Sequence, residues 1–256
     1  MSEGAVTDDF AMAALNAAKQ QLRTAMKQKL QALSHESVLA QSATVFNKLK
    51  TFQPFVDAKR VSVFLSMPSG EIQTDAIVRH ALNSGKEVFI PYLHKNPTTS
   101  PDLPVRVMDM VRLQDLADYE SLTPDRWGIP SIDPATVHRR QRIFGGPDGQ
   151  HSVNTLLDLI LMPGVAFDRD PDTGAIRRLG HGKGFYDYFL SRHGSKSVAL
   201  GRQEAPVLLY GLALSEQFLS SPSEGAVPVG PYDQPLDGLL LGNGELKIPL
   251  APAAEK

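Results

Sequence analysis

The chain has 256 residues, 42% hydrophobic and 21% charged, with 26 basic against 28 acidic side chains and a formal net charge of −2. That length suits one large domain or two small ones and buries roughly 70–75% of the unfolded surface. Such a composition argues against disorder, and the balanced charge argues against a protein built to coat nucleic acid or an anionic membrane. With no cysteine, disulfides, a thiolate nucleophile, an iron–sulfur cluster and Cys-ligated zinc are all excluded.

Residues 1–10 carry Glu3, Asp8 and Asp9, no basic side chain and no apolar core, unlike a secretory signal or an Arg-rich transit peptide. No apolar run approaches the ~18 residues a membrane helix needs. The expectation is a cytoplasmic protein with no membrane segment: an N-terminal extension over 1–10, then a single domain over 11–250.

Residues 11–33 place Leu15, Ala18, Leu22, Met26, Leu30 and Leu33 at helical spacing. Ser34 is the expected N-cap of a second helix carrying Val38, Val45, Phe46 and Leu49. Pro54 breaks the pattern, and 61–67 (VSVFLSM) has the β-branched and aromatic content of a buried strand. A loop through Pro68, Gly70 and Glu71 leads to Thr74, an expected N-cap for a helix with Ile77, Val78, Ala81 and Leu82, closed by Gly85. Residues 87–92 form the next strand. Strand, helix and strand make a βαβ unit, hence a parallel sheet with a right-handed crossover.

Residues 94–104 are expected as loop, 105–113 as an alternating strand, and 128–152 as an irregular insertion rich in proline and glycine. A buried strand over 156–162, although Asp158 interrupts it, ends at Pro163 and Gly164. A Gly-rich loop at 180–184 then opens an amphipathic helix with Phe185, Tyr186, Phe189 and Leu190. Strands over 207–214 and 236–241 follow, and 251–256 is expected to be a frayed tail. Trp127, the only tryptophan, is expected to be a partly buried packing residue.

The densest chemistry lies between Arg178 and Asp187 (RLGHGKGFYD). Gly180, Gly182 and Gly184 let backbone N–H groups approach an anion, the following helix N-terminus adds donors and partial positive charge, and Lys183 adds a full one. Arg177 and Arg178 are expected to approach from the other side. A Walker A loop needs Gly five residues before the lysine and Ser or Thr after it, but those positions hold Arg178 and Gly184. Asp187, one turn into the helix, is placed to hold Mg²⁺ against phosphates. Without further context GxGKG is as often a plain connection, and Lys19 with Arg23 on one helix face is more often solvated surface. Glu71 follows a strand end, where α/β sheets bind ligands. Asp233 and Asp237 precede the last strand and also suit turn formation. The seven histidines form no HxH or HExxH pair, and no G-x-S-x-G elbow occurs, so zinc-hydrolase and serine-hydrolase readings lack support.

Taken in order, Lys19-x-x-x-Arg23, FLSMPSGE ending at Glu71, MPGVAFD ending at Asp168, the 178–187 segment, and PVGPYD ending at Asp233 with Asp237 form a series. It resembles the 5-formyltetrahydrofolate cyclo-ligase family over about residues 15–241. The resemblance implies a three-layer α/β/α fold with a mainly parallel sheet, like ribose-phosphate isomerases and CoA transferases, with helices added at the N-terminus. It implies ATP- and Mg²⁺-dependent conversion of 5-formyltetrahydrofolate to 5,10-methenyltetrahydrofolate, ADP and phosphate. Lys19 and Arg23 would contact ATP, as would Arg178, Leu179, Gly180, His181, Gly182, Lys183, Gly184, Phe185 and Tyr186. Leu65, Glu71 and the stretch from His181 to Phe185 would contact folate, with Mg²⁺ on Asp187 and Asp233. Lys183, Asp187 and Glu71 are the expected catalytic residues. His181 stands where the family often has Arg, Phe185 where it has Tyr, and 169–177 is longer than the usual turn. The competing expectations are an ATP-independent phosphosugar isomerase or CoA-transferase relative, and a catalytically silent folate- or nucleotide-binding protein. The expected partners are small molecules, with no nucleic acid, and the chain is expected to be a monomer.

Overall fold

The computed structural model describes residues 3–250 apart from 99, 101–102, 146–149, 152–154, 202–205 and 222–223, and the side chains of 3–9, 150 and 151. The expected tail at 251–256 and parts of the 94–104 and 128–152 insertions thus lie outside the described residues.

Helix α1 (Glu3–Gln31) starts ahead of residue 11 and is continuous through it. Ser34 caps α2 (His35–Leu49) by accepting the Ser37 N–H, and Pro54 sits in the first turn of the short α3 (Gln53–Asp57). Strand β1 (Arg60–Val63), α4 (Asp75–Asn83) and β2 (Glu87–Lys95) form the expected βαβ unit, with β1 and β2 parallel. Next come β3 (Arg106–Arg112), α5 (Leu116–Glu120), β4 (Thr123–Pro124), β5 (Pro130–Ser131), a 3-10 turn at Pro134–Arg139, β6 (Gln141–Arg142) and β7 (Gln150–His151). Strand β8 (Leu159–Met162) leads into a hairpin of β9 (Ala166–Arg169) and β10 (Ile176–Leu179), then α6 (Phe185–Ala199). Strand β11 (Leu208–Ala213), a 3-10 turn at Ser215–Gln217, β12 (Gly238–Leu241) and β13 (Leu246–Lys247) close the chain.

Among the described residues nine strands form one sheet in the order β13-β12-β11-β8-β1-β2-β3-β6-β7; β12, β11, β8, β1 and β2 are mutually parallel, β13, β3 and β6 pair antiparallel with their inner neighbours, and β7 pairs parallel with β6 at the edge. Side-chain alternation builds the layers. Leu159 and Leu161 of β8 join Val61, Val63 and the apolar faces of α2 and α4, while Ile160 and Met162 face Phe189 and Leu190 of α6. Asp158 interrupts its apolar run because it caps a neighbour: its carboxylate accepts the Lys59 and Arg60 N–H groups at the start of β1.

The structure corrects several expectations. The β1 ladder ends at Val63, although Phe64 and Leu65 stay buried, because burial continues into the loop after strand pairing stops. His94 and Lys95 belong to β2, paired with Val107 and Arg106 across a hairpin. The 128–152 insertion is partly anchored, with Ile132 and Val137 in the core. Thr74 stands at the N-cap position without capping; its hydroxyl donates instead to the Phe64 carbonyl at 2.7 Å.

From β1 the next parallel strand, β2, lies on one side and the later β8 on the other. The sheet therefore reverses its strand order between β1 and β8, and the crevice beyond their carboxyl ends is where such sheets bind ligands.

Candidate active site

Two loops border that crevice, one directly after β1 and one after the β9–β10 hairpin that follows β8. After β1, residues 64–74 are held by a dense set of hydrogen bonds. Gln73 donates to the Met67 and Glu71 carbonyls at 3.0 and 2.9 Å, its N–H reaches Ser42 of α2 at 2.9 Å, and the Thr74 N–H donates to Ser66. Gly70, at φ +81°, makes the turn that sends Glu71 inward. Glu71 is 5% exposed and accepts the Met67 N–H. Burial pushes its pKa up to about 7, and that single N–H offsets the desolvation only in part. Leu65, six residues earlier in the loop, is buried as well.

Residues 125–129 press on this loop, since a Cβ on Gly128 would come within 2.7 Å of the Pro68 ring. The close approach leaves Trp127 outside: it is 62% exposed, its ring 5.1 Å from the Arg126 guanidinium carbon. The expectation of a partly buried packing residue is therefore corrected. The only sequence signal for this was glycine directly after tryptophan.

The second loop, residues 180–184, follows the β9–β10 hairpin built on β8. His181, Gly182, Lys183 and Gly184 are all exposed. Gly182 and Gly184 have φ of +90° and +65°, where a side chain would strain the backbone. Gly184 is the N-cap of α6, so the loop delivers its amides to a helix N-terminus. Arg23 crosses from α1 to donate to the Gly180 carbonyl at 2.9 Å and packs against Gly182. Lys19, one turn earlier, is ion-paired with Asp233, whose same oxygen accepts the Gly230 N–H at 2.6 Å. The two α1 cations expected at the site thus both reach it.

Arg178 is buried and held loosely, with bonds of 3.3 Å to both the Pro163 carbonyl and Asp187. Its guanidinium carbon lies 5.4 Å from the centroid of the Tyr186 ring. Arg177 does not approach the loop as expected. Neighbouring strand residues face opposite sides, and Arg177 instead bridges Asp168 and Asp170 within the hairpin. Leu179 is 2% exposed in a small core with Met26 and Val165, so its side chain serves packing. Desolvation first, then the nearby charges of Arg178 and Arg23, lower the His181 pKa from its ordinary value. Phe185 and Tyr186 are half-buried against the α6 side of the core. Lys183 makes no hydrogen bond or ion pair among the described residues.

Four cations, Lys19, Arg23, Arg178 and Lys183, therefore surround the glycine loop against two carboxylates, Asp187 and Asp233. Among the described residues no three acids or histidines cluster as a ready metal cage. Asp187 Oδ2 and Asp233 Oδ1 nonetheless accept no hydrogen bond there. Magnesium asks for only one or two carboxylates where substrate phosphates complete its shell, and each of these carboxylates keeps an oxygen free to ligate it. Nor, among the described residues, is any helix long and apolar enough to cross a membrane.

Known proteins match the chain over most of its length. A Caenorhabditis elegans protein named probable 5-formyltetrahydrofolate cyclo-ligase is 37% identical over 229 residues, spanning 90% of this chain and 95% of its own. The Mus musculus 5-formyltetrahydrofolate cyclo-ligase is 32% identical over 231 residues, spanning 90% and 97%. The NMR structure of Aquifex aeolicus 5,10-methenyltetrahydrofolate synthetase shares the fold, with a TM-score of 0.60 at 23% identity over 93% of this chain and 96% of that one. The sequence profile of the 5-formyltetrahydrofolate cyclo-ligase family matches residues 15–242, nearly the whole of the sheet and both loops, and the chain belongs to that family.

Proposed function

We propose that the chain catalyses the ATP- and Mg²⁺-dependent cyclisation of 5-formyltetrahydrofolate to 5,10-methenyltetrahydrofolate, with release of ADP and phosphate. The observation that carries this reading is one crevice bounded by a cation-rich glycine loop from one strand end and a buried carboxyl from its neighbour.

The formyl carbon on nitrogen 5 is amide-like, and closing the ring onto nitrogen 10 must expel its oxygen. Hydroxide leaves poorly; a phosphorylated oxygen leaves readily. The formyl oxygen attacks the γ-phosphorus and ADP departs, then nitrogen 10 attacks the formyl carbon and phosphate departs with that oxygen. The proton on nitrogen 10 is lost in the process. No covalent enzyme intermediate is needed, so the protein's work is positioning and charge stabilisation.

Lys183 and the 180–184 amides hold the γ-phosphoryl group and meet the charge that develops on it. Lys19, Arg23 and Arg178 hold the rest of the ATP phosphates, alongside the backbone of Leu179 and the His181–Tyr186 segment. Asp187 and Asp233 would hold Mg²⁺, which when bound neutralises charge on the phosphates. On the opposite wall, Leu65 and Glu71 orient the folate together with the His181–Phe185 stretch. A Glu71 carboxyl with a pKa near 7 suits a group hydrogen-bonding at nitrogen 10 and taking its proton. We take residues 11–250 as one catalytic domain, monomeric and cytoplasmic, acting on these small molecules without nucleic acid or membrane.

The test is to incubate the protein with 5-formyltetrahydrofolate, with and without MgATP, and follow the long-wavelength ultraviolet absorbance of the methenyl product. Appearance only with MgATP is the expected result. Bound folate without product points to a silent binder, and turnover of phosphosugars or acyl-CoA without ATP points to the isomerase or transferase relatives.

A further inference from the structure

Tyr186 lies where the two walls of the crevice meet, and its hydroxyl is anomalous. The oxygen is shut off from solvent, yet it has no hydrogen-bond partner. Buried hydroxyls nearly always find one, and an exception asks for an explanation. Its neighbours belong to opposite walls. Arg178, from the nucleotide side, stacks its guanidinium over the ring, and Glu71, from the folate side, is close enough for its charge to bear on the phenol. Arg178 is also under-satisfied: its Nε has no partner and its two bonds are both 3.3 Å long. Tyr186 therefore stands between a loosely held cation and a buried acid, with one strong donor unspent.

We infer that Tyr186 is a positioning residue that couples the two substrate sites. Arg178 leaves Asp187 for the phosphates when nucleotide binds, and the Tyr186 ring, no longer covered by the guanidinium, turns its unspent hydroxyl to donate to Glu71, fixing the carboxyl for the folate. Nucleotide binding then tightens folate binding, and by linkage folate tightens nucleotide by the same factor. This rests on the assignment of the glycine loop to ATP and the Glu71 loop to folate. It goes beyond that assignment in giving Tyr186 a role in communication between the sites.

The experiment is titration calorimetry of 5-formyltetrahydrofolate with and without the Mg²⁺ complex of the β,γ-imido analogue of ATP, on the parent chain and on Tyr186→Phe. The parent is expected to bind folate about 5- to 100-fold tighter with the analogue present, the ordinary range for coupled sites. In Tyr186→Phe that ratio should fall to within about twofold of unity, whatever each affinity alone becomes. Because the lost hydroxyl has no partner in the ligand-free protein, the variant's denaturation midpoint should stay level or rise. A ratio unchanged in the variant, no ratio above unity in the parent, or a clear drop in the midpoint overturns the inference alone. A parent chain that binds neither ligand overturns the substrate assignment with it.

Discussion

The two loops at the β1–β8 crevice solve opposite problems. The 64–74 loop is committed before any ligand arrives: Ser42, Ser66, Gln73 and Thr74 spend their hydrogen bonds on it, and Glu71 is held inside at 5% exposure. The 180–184 loop is held mainly from outside, by Arg23 on the Gly180 carbonyl, and leaves Lys183 in solvent. A buried acid must be fixed in place because an unpaired charge there is costly. A phosphate cradle must instead keep its amides and its cation available until the anion supplies the missing partner.

That contrast is most exposed to test at Lys183. Lys183→Ala is expected to lower kcat about 10²–10³-fold, the ~3–4 kcal/mol that a lost transition-state charge costs. Because the side chain is exposed and makes no hydrogen bond or ion pair among the described residues, the thermal midpoint should not move. Product formation followed by absorbance, beside a thermal melt, checks both; near-normal turnover in a folded variant removes Lys183 from the chemistry.

How much of this was legible in the sequence follows the same division. The glycine loop is a local device, written in consecutive residues from Arg178 to Asp187, and its place before α6 is apparent from the chain. The Glu71 wall is not local. Its burial depends on Gln73 reaching α2, on Gly70 turning, and on Gly128 pressing against Pro68 from sixty residues away. Strand register separates Arg177 from Arg178, which composition treats as one pair of cations. Apolar content at 61–67 marks burial correctly but cannot say where the ladder stops, because a buried loop and a buried strand have the same composition.

The buried wall gives the second prediction. A folded-state pKa of about 7 against an unfolded value near 4.5 means that the unfolded chain releases the Glu71 proton first as pH rises. Stability contributed by this site is therefore lost between about pH 4.5 and pH 7, and is level above. Glu71→Gln keeps an acceptor for the Met67 N–H and removes the charge. The variant's stability advantage over the parent should thus grow by about 2 kcal/mol between pH 5 and pH 8, with all other titrations cancelling between the two proteins. Denaturant unfolding at the two pH values measures it, and a difference that stays constant with pH means that the carboxyl is solvated. Turnover should fall in the same variant, since Gln cannot take a proton from nitrogen 10.

The smallest effect is expected where the two loops' strategies mix. Asp187 sits on α6 behind the open loop, yet it is already paired, weakly, with Arg178 at 3.3 Å. Asp187→Asn keeps a hydrogen-bond acceptor for Arg178 but gives up the charge that would hold Mg²⁺. One of two carboxylate contacts is lost while the phosphates still carry the ion, so the Mg²⁺ concentration for half-maximal activity should rise about tenfold, roughly 1.4 kcal/mol. A pairing this long contributes little to the fold, and the thermal midpoint should shift by no more than a few degrees. An unchanged metal titration would place the ion on Asp233 alone. The open loop would then be a cradle of amides and cations only, and the contrast with the Glu71 wall would be sharper still.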